Sequence, residues 1–247
     1  MTESSAKRSS DSDPRAAPDP ARRFSLSAHS VHIWLGARQQ HACSDSFKRR
    51  VLSQYAAVAP AAWRFGRGAQ GKPYLVGSAQ ALDFNLSHSG DWLACAVTAG
   101  VPVGVDIEAC KPQRDVMTLA RRFFREEEVM ALEACTEAGQ RDRFYDLWTL
   151  KEAAVKARGA VLVSGLDSRG FALARNPGAA GTRVLLTTDD DPGSAQYCLL
   201  DPVPGYRLAV CWLPAAPLAP ALQLYELGAA GVSSPDSGPL RASSWLH

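Results

Sequence analysis

The sequence lacks the marks of several common protein classes. Its six cysteines are widely scattered, with no C-x-x-C pair and no histidine cluster, which argues against a structural zinc site and a disulfide framework. No apolar run is long enough to span a bilayer, and the N-terminus lacks the charged-then-apolar pattern of a signal peptide. A formal net charge of +2 is too small to indicate a general attraction to nucleic acid. We therefore expect a cytoplasmic protein that binds neither nucleic acid nor membrane.

The chain of 247 residues is long enough for one large domain or two small ones with a substantial core. Residues 1–27 lack periodic apolar residues and are rich in Ser, Pro, Ala, Asp and Arg, so we expect a disordered tail. Strand and helix signals fill an N-terminal segment, 28–110, and a C-terminal segment, 111–215. Residues 216–247 are rich in Ala and Pro with little pattern, and we expect them to be loosely ordered.

Apolar periodicity predicts the regular elements. In the first segment we expect a helix at 46–57 and strands at 31–35, 84–87, 92–98 and 101–108, with a turn at 88–91. In the second segment we expect helices at 115–124, 125–133 and 142–158, then strands at 170–174, 182–188, 196–200 and 206–213. The fold class is therefore α+β, with the pattern of two related halves and a ligand site at their junction.

Two carboxylates stand two residues apart in the run 104–108, which reads GVDIE. In an extended strand Asp106 and Glu108 would project side by side on one face, where adjacent carboxylates repel each other. An edge strand can carry such charges simply to discourage aggregation. The preceding segment 92–98 is nearly all apolar, however, which favours a central strand. The pair therefore indicates a cation site.

The strongest predicted helix carries a further acid and a lysine. Glu152 and Lys156 are four residues apart and share one helix face, and the commonest fate of such a pair is a solvent-exposed ion pair. Here the pair lies in an apolar segment, LWTLKEAAVK, that has the composition of a buried helix. With Glu152 as a third oxygen donor beside Asp106 and Glu108, the set would suit Mg²⁺ rather than zinc or copper.

The run 85–90, NLSHSG, offers hydroxyl, imidazole and backbone donors that suit a phosphate. An Asx or Ser turn with a surface histidine is the plainer interpretation of Ser87 and His88. A Ser–His catalytic couple is disfavoured, because sequence neighbours rarely have the required geometry and no G-x-S-x-G elbow is present. Lys72, just before a proline, would be either another phosphate ligand or a solvated loop lysine.

Four segments together resemble the 4′-phosphopantetheinyl transferases: 85–90 (NLSHSG), 103–108 (VGVDIE), 122–124 (RFF) and 144–156 (FYDLWTLKEAAVK). The signature is G-x-D followed, after about forty residues, by W-x-x-K-E-x-x-x-K, and it is specific when both parts occur at this spacing. The best match is to the larger, monomeric type that activates peptide and polyketide synthetases. The resemblance covers residues 46–213.

The resemblance implies two similar α/β halves in a pseudo-twofold arrangement, with coenzyme A and Mg²⁺ bound between them. Such enzymes transfer the phosphopantetheine arm to a serine of an acyl, peptidyl or aryl carrier protein and release 3′,5′-adenosine bisphosphate. The matched residues are Asp106, Glu108 and Glu152 for the metal, Ser87 and His88 for the phosphates, Lys156 for the pyrophosphate and Lys72 near the nucleotide. Glu152 also matches the general base, acting directly or through water, and Glu152, Asp106 and Lys156 are the expected catalytic residues.

One departure from the family keeps other functions open. The family usually has a long basic helical segment after the first strand, which helps to hold the 3′-phosphate of the coenzyme, and here only residues 36–45 stand in its place. Nearby basic candidates are Arg38, Lys48, Arg49 and Arg50. The alternatives are a non-catalytic relative that binds coenzyme A or a carrier, and a different Mg²⁺-dependent phosphoryl-transfer or phosphodiester-cleaving enzyme.

The sequence does not identify the carrier, which could serve fatty-acid, polyketide or non-ribosomal peptide synthesis. The resemblance implies an acidic helical carrier. A basic group formed by Arg121, Arg122 and Arg125 would suit such a partner, although an Arg-rich helix is usually just solvated.

Overall fold

The computed structural model describes residues 24–77, 81–160, 166–167, 169–175, 182–186, 194–216, 219–234 and 240–244. The helices are α1 (Ser44–Leu52), α2 (Val116–Phe123), α3 (Glu126–Glu133) and α4 (Glu137–Ala157). The strands are β1 (Ser30–Ala37), β2 (Phe65–Arg67), β3 (Pro73–Leu75), β4 (Asp83–Ser89), β5 (Trp92–Thr98), β6 (Val103–Ala109), β7 (Phe171–Arg175), β8 (Thr182–Leu186), β9 (Gln196–Leu200), β10 (Tyr206–Trp212), β11 (Ala221–Gly228), β12 (Gly231–Ser233) and β13 (Leu240–Ser243). Within the described ranges, no helix has the length and apolar character needed to cross a lipid bilayer.

Two large sheets form the framework, and β2 and β3 make a separate two-stranded hairpin. The first sheet has the strand order β12-β11-β1-β5-β4, and the second has the order β6-β10-β9-β13-β8-β7. In the first sheet β1 runs antiparallel to β5 and parallel to β11. In the second sheet β10 runs antiparallel to both β6 and β9. This combination of helices and sheets confirms the predicted α+β class.

Apolar clusters stack these elements into layers. Alternate residues of β1 point to opposite faces of the first sheet, so that Trp34 packs with Phe47 of α1 whereas Ile33 packs with Val105 of the second sheet. On the outer face of the second sheet α4 packs through residues such as Ala153. The layers therefore follow the order α1, first sheet, second sheet, α4, and each sheet carries a helix on its outer face.

The C-terminal part of the chain differs from the prediction of a loosely ordered segment at 216–247. Strand β11 pairs with β1, and β13 pairs with β9. Arg241 in β13 also donates to the carboxylate of Asp146 in α4 at 3.0 Å. These partners lie far away in the sequence, so the local composition contains no sign of them. The prediction is wrong for residues 221–233 and 240–243.

The other predicted boundaries fare differently. Of the disordered tail predicted at 1–27, residues 1–23 lie outside the described residues. The centroid of the Phe24 ring lies 5.0 Å from that of Trp34 and 4.7 Å from that of Tyr225. The tail prediction is therefore wrong from Phe24 onward. The division into segments 28–110 and 111–215 stays a prediction. The sheets divide the chain elsewhere, because β6 belongs to the second sheet and β11 to the first.

Strands β4 and β6 are edge strands of different sheets, and side chains join them. Alternate residues of β4 point toward β6 and accept hydrogen bonds from alternate backbone N–H groups of β6, at 3.0–3.4 Å. We call these four contacts the polar rungs. The acceptors are Asp83, Asn85, Ser87 and Ser89, and their donors are the N–H groups of Val103, Val105, Ile107 and Ala109. The rungs satisfy edge N–H groups that would otherwise be costly to bury.

Helix α4 approaches β6 most closely at Gly104. A Cβ atom at this position would lie 2.1 Å from the carbonyl oxygen of Ala153 and 2.4 Å from the nitrogen of Ala157. Both are backbone atoms of α4, and they cannot move aside as the end of a flexible side chain can. The absence of a side chain at Gly104 therefore sets the spacing between β6 and α4.

We expect Gly104→Ala to lower the free energy of unfolding by about 3 kcal/mol or more, at the upper end of the usual cost of overpacking. Urea unfolding measures this difference. Gly68→Ala is the matched control, because a Cβ there would meet its nearest atom, the carbonyl oxygen of Lys72, at an ordinary 3.5 Å. Equal stabilities for the two variants would contradict the role of Gly104.

His32 is buried in the first sheet, on the face that carries α1. Its Nδ1 lies 2.9 Å from the hydroxyl oxygen of Tyr55, which accepts a hydrogen bond from Trp34 Nε1 at 2.6 Å. The Tyr55 hydroxyl can then donate its proton to a neutral imidazole. Burial lowers the pKa of His32 from 6.5 to about 4.

His32 should therefore make the fold sensitive to acid. Because its pKa is lower in the folded chain, its contribution to stability is complete above pH 6.5 and is lost as the pH falls to about 4. We expect this loss to be on the order of 3 kcal/mol, and to be absent in His32→Gln. Urea unfolding at several pH values tests this, with the exposed His29→Gln as control. Parallel stability profiles for wild type and His32→Gln would refute the assignment.

Candidate active site

Charged residues from β6 and α4 meet where the two elements pack together. The ammonium of Lys156 lies 2.6 Å from Asp106 Oδ1 and 3.2 Å from Glu152 Oε2. One turn of helix separates Glu152 from Lys156, so both side chains reach β6 from the same face of α4. Glu108 projects from β6 on the same side as Asp106. The structure thus brings together four of the residues that the sequence singles out.

Asp106 is the most deeply buried of these acids, with 2% of its surface exposed. Its Oδ1 accepts hydrogen bonds from the Ser87 hydroxyl at 2.8 Å and from Lys156. Its Oδ2 is also buried but has no hydrogen-bond partner among the described residues. Buried polar atoms are nearly always paired, so this oxygen marks a place for a cation or a donor from outside the chain.

Negative charge is in excess at this point. Burial, followed by the neighbouring Asp106 carboxylate, raises the pKa of Glu152 to about 7. Burial, followed by the Asp106 carboxylate, also raises the pKa of Glu108. Burial alone would lower the pKa of Lys156, but the carboxylates of Asp106 and Glu152 raise it above its ordinary value. Lys156 and the more distant guanidinium of Arg114 thus face three carboxylates, and the arrangement favours a further positive charge.

The metal-ligand set Asp106, Glu108 and Glu152 stays a prediction. In the part of the chain that the structure describes, no three Asp, Glu, His or Cys side chains are already arranged to hold a metal ion. The chemistry of the donors nevertheless fits a hard divalent cation, because they are carboxylate oxygens, one of them is unpartnered, and their charge is in excess. Magnesium usually takes only one or two carboxylates, with water and substrate phosphate as its other ligands.

The predicted turn at 88–91 begins later, because β4 continues through Ser89. Ser87 and His88 are consecutive residues of this strand, so their side chains point to opposite faces of the sheet. Ser87 is buried and contacts the site, and its Oγ lies 3.1 Å from Lys156 Nζ as well as within reach of Asp106. His88 points to the other face of β4 and is exposed. The structure therefore joins Ser87, but not His88, to the acids.

Lys72 contacts groups other than the clustered acids. Its ammonium donates to Asp83 Oδ1 at 2.8 Å, to the Val103 carbonyl at 3.0 Å and to the Ala157 carbonyl at 3.4 Å. It therefore ties the β2–β3 hairpin to the first polar rung and to the last turn of α4, where a cation is favoured by the helix dipole. A role for Lys72 near a nucleotide stays a prediction.

The first lysine of the K-E-x-x-x-K motif has a different environment from the second. Lys151 is fully buried, and its ammonium lies 2.8 Å from Glu128 Oε2. It also donates to the carbonyl oxygens of Leu166 at 2.8 Å and Arg169 at 2.5 Å. Glu128 in turn accepts the N–H of Phe171 at 2.8 Å. Lys151 thus holds α3 and the segment that leads into β7 against α4.

Two residues near the acids were missed by the sequence interpretation. The Ser89 hydroxyl donates to Glu108 Oε2 at 2.8 Å, and Arg114 Nη1 lies 3.8 Å from the same oxygen. The alternation of polar residues in 83–89, DFNLSHS, is a period-two signal that could have identified Ser89. Arg114 follows β6 in a loop, and its local sequence shows no comparable signal.

A cavity of about 670 Å³ lies beside α1, and its walls are rich in cations. They include Lys48, Arg49, Arg64 and Arg67, together with the rings of Trp63 and Phe65 and the carboxylate of Asp45. Lys48 and Arg49 are two of the basic residues that were candidates for a phosphate. Arg50, another candidate, instead donates to the Gly228 carbonyl at 2.7 Å.

Lys151→Met should destabilise the protein by roughly 3–5 kcal/mol, because it leaves Glu128 as an unpaired buried charge. Thermal or urea unfolding measures the loss. The exposed Lys111→Met is the control and should change stability by about 0.5 kcal/mol or less. A Lys151→Met protein as stable as this control would show that the buried pair is not structural.

The chain is similar to known proteins over the segment that contains β6 and α4. A family model described as the 4′-phosphopantetheinyl transferase superfamily matches residues 102–211. The 4′-phosphopantetheinyl transferase Sfp of Bacillus subtilis is 34% identical over 167 residues, covering 68% of this chain and 70% of that protein. The corresponding transferase psf-1 of Bacillus pumilus is 38% identical over 141 residues, 57% of each chain. AcpT of Salmonella typhimurium is 42% identical over 92 residues, covering 37% of this chain and 47% of its own.

These matches confirm the resemblance that was drawn from the sequence motifs. The segment matched by the family model includes the strand that carries Asp106 and Glu108 and the helix that carries Glu152 and Lys156. The chain belongs to the 4′-phosphopantetheinyl transferase superfamily.

Proposed function

We propose that this protein transfers the 4′-phosphopantetheine arm of coenzyme A to a serine hydroxyl of an apo carrier protein, with Mg²⁺ as cofactor and 3′,5′-adenosine bisphosphate as the second product. The observation that carries this proposal is the meeting of Asp106 and Glu108 from β6 with Glu152 and Lys156 from α4. Paired acids, a partly buried lysine and an unpartnered carboxylate oxygen together suit a metal-bound pyrophosphate.

Asp106, Glu108 and Glu152 are the proposed ligands of the cation. The unpartnered Oδ2 of Asp106, and the repulsion between the Asp106 carboxylate and those of Glu108 and Glu152, support a bound positive charge at this place. When bound, Mg²⁺ would polarise the pyrophosphate and neutralise charge on the leaving bisphosphate. Because the carboxylates are not arranged as a closed cage, pyrophosphate oxygens and water would complete the coordination.

Lys156 is the proposed pyrophosphate ligand in the chain. Its ammonium is held between Asp106 and Glu152, so its charge is fixed in place before the substrate arrives. Ser87 shares both Asp106 and Lys156 and can offer its hydroxyl to a phosphate oxygen. For His88, which is exposed on the other face of β4, and for Lys72, the proposed phosphate and nucleotide contacts rest on the family match alone.

Glu152 is the proposed general base. Its carboxylate lies beside Lys156, at 3.2 Å, and would accept a proton from an attacking serine hydroxyl directly or through water. Attack at the phosphorus that bears the pantetheine arm breaks its bond to the bridging oxygen of the pyrophosphate. Such a reaction needs in-line positioning and charge neutralisation more than covalent help from the protein.

The cationic cavity beside α1 is the proposed replacement for the basic segment that is short in this chain. Only a single 3-10 turn, Arg38–Gln40, lies between β1 and the start of the loop into α1. Lys48, Arg49, Arg64 and Arg67 line the cavity and could hold a phosphate of the nucleotide.

The partners and the cellular setting are also proposals. The proposed metal, pyrophosphate and base residues all come from one chain, which supports action as a monomer. A cytoplasmic location and an acyl, peptidyl or aryl carrier rest on the family match. The arginines considered for an acidic carrier are partly neutralised, because Arg121 pairs with Glu133 at 2.8 Å and Arg125 lies 3.7 Å from Glu127.

We expect a fluorescent coenzyme A derivative to label an apo carrier protein in the presence of Mg²⁺ and not after chelation. Asp106→Asn should reduce labelling roughly a hundredfold or more, because the metal and Lys156 lose their shared anchor. Gel fluorescence measures the rate, and circular dichroism checks that the variant stays folded. Glu137→Gln is the control, because this acid is exposed at the other end of α4.

A panel of fatty-acid, polyketide and peptide carriers should be tested with saturating coenzyme A. No labelling of any carrier, combined with tight coenzyme A binding by calorimetry, would favour the non-catalytic alternative. Cleavage of coenzyme A without a carrier would favour a phosphodiester-cleaving enzyme.

A further inference from the structure

Ser89 lies at the end of the row of polar rungs and makes two hydrogen bonds at once. Its Oγ accepts the backbone N–H of Ala109 at 3.1 Å and donates to Glu108 Oε2 at 2.8 Å. Because the N–H approaches the oxygen of the hydroxyl, the single hydroxyl proton is left for the carboxylate. The rung therefore fixes the hydroxyl, and the hydroxyl fixes one oxygen of Glu108.

Glu108 needs such a partner more than Asp106 does. A glutamate side chain has one more rotatable bond than an aspartate and loses more conformational freedom when it is held in a single orientation. Asp106 is held by both Ser87 and Lys156. The guanidinium of Arg114 is also near Glu108, but its Nη1 lies 3.8 Å from Oε2. This distance is too long for a hydrogen bond.

The same geometry is repeated one step along β4. Ser87 accepts the N–H of Ile107 at 3.4 Å and donates to Asp106 Oδ1 at 2.8 Å. Each acid of β6 is thus held by the serine that also accepts the N–H of the following residue. Asn85 makes a comparable rung to Val105, at 3.0 Å, at a level where β6 carries no acid. Ser87 and Ser89 therefore each hold a carboxylate of β6 in addition to a backbone N–H group, whereas Asn85 accepts only the N–H of Val105.

We propose that Ser89 is a positioning residue that holds the Glu108 carboxylate in the orientation needed for the cation, and this inference rests on the proposed function. Ser89 does not itself touch substrate in this role. Its effect passes through Glu108, so it should alter the affinity for the cation while it leaves the binding of coenzyme A unchanged at a saturating concentration of the cation.

The test compares three variants. Ser89→Ala removes both the rung and the hydrogen bond to Glu108, Ser89→Thr keeps a hydroxyl on a residue suited to a strand, and Asn85→Ala removes a rung only. We expect Ser89→Ala to raise the Mg²⁺ concentration for half-maximal transfer by about tenfold or more, the usual effect of losing a group that orients a metal ligand. At saturating Mg²⁺ the KM for coenzyme A should change by no more than about twofold, and Ser89→Thr should restore most of the Mg²⁺ affinity.

A direct binding measurement separates this inference from the proposed function. Mn²⁺ is titrated into each protein with coenzyme A present and no carrier, and free Mn²⁺ is followed by electron paramagnetic resonance. Weaker Mn²⁺ binding in Ser89→Ala than in Asn85→Ala, with recovery in Ser89→Thr, would support positioning. An equal change in Ser89→Ala and Asn85→Ala, or none in either, would overturn it while wild type still transfers. A wild type that neither binds Mn²⁺ nor labels a carrier would instead defeat the proposed function.

Discussion

The polar rungs between β4 and β6 are the interaction on which the rest of the site depends. They join the edge strands of two separate sheets through side chains, at a place where a backbone ladder would have merged the sheets into one. This connection leaves β6 with an acidic face directed at α4 and an apolar face directed at the first sheet. The Ser87 hydroxyl has both roles, because it bridges the two sheets and also contacts Asp106 and Lys156.

The electrostatics of the site follow from this placement. Asp106 is fixed in a buried position next to other carboxylates, and one lysine cannot neutralise them all. The fold tolerates the excess because much of its other buried charge is paired, as in the contact between Lys151 and Glu128. The two lysines of the family motif therefore have different roles. Lys151 stabilises the packing of α4, and Lys156 carries charge to the acids.

Much of the site could be predicted from the sequence, because its residues lie on elements with strong local patterns. The i,i+2 spacing of Asp106 and Glu108 and the i,i+4 spacing of Glu152 and Lys156 each define a face without reference to any other part of the chain. The family motifs then related the two elements. What could not be predicted depends on contacts without a local signal: β11 pairs with β1 across most of the chain, β13 pairs with β9, and Arg114 reaches Glu108 from a loop. Local composition says nothing about such contacts. Within β4 a strand was predicted at 84–87, whereas its last two residues, His88 and Ser89, were interpreted as part of a turn.

The parallel pairing of β1 with β11 also bears on how the molecule is made. Strand β11 lies between β1 and β12, so the first sheet draws on residues near both ends of the chain. During synthesis the sheet that contains β1, β4 and β5 cannot be completed until β11 has been made, long after β1 in the sequence. Contacts of such long sequence separation slow folding, because a large loop must close before the contact stabilises anything. The exposed edge of β1 is therefore a surface that the nascent chain carries until its C-terminal strands emerge.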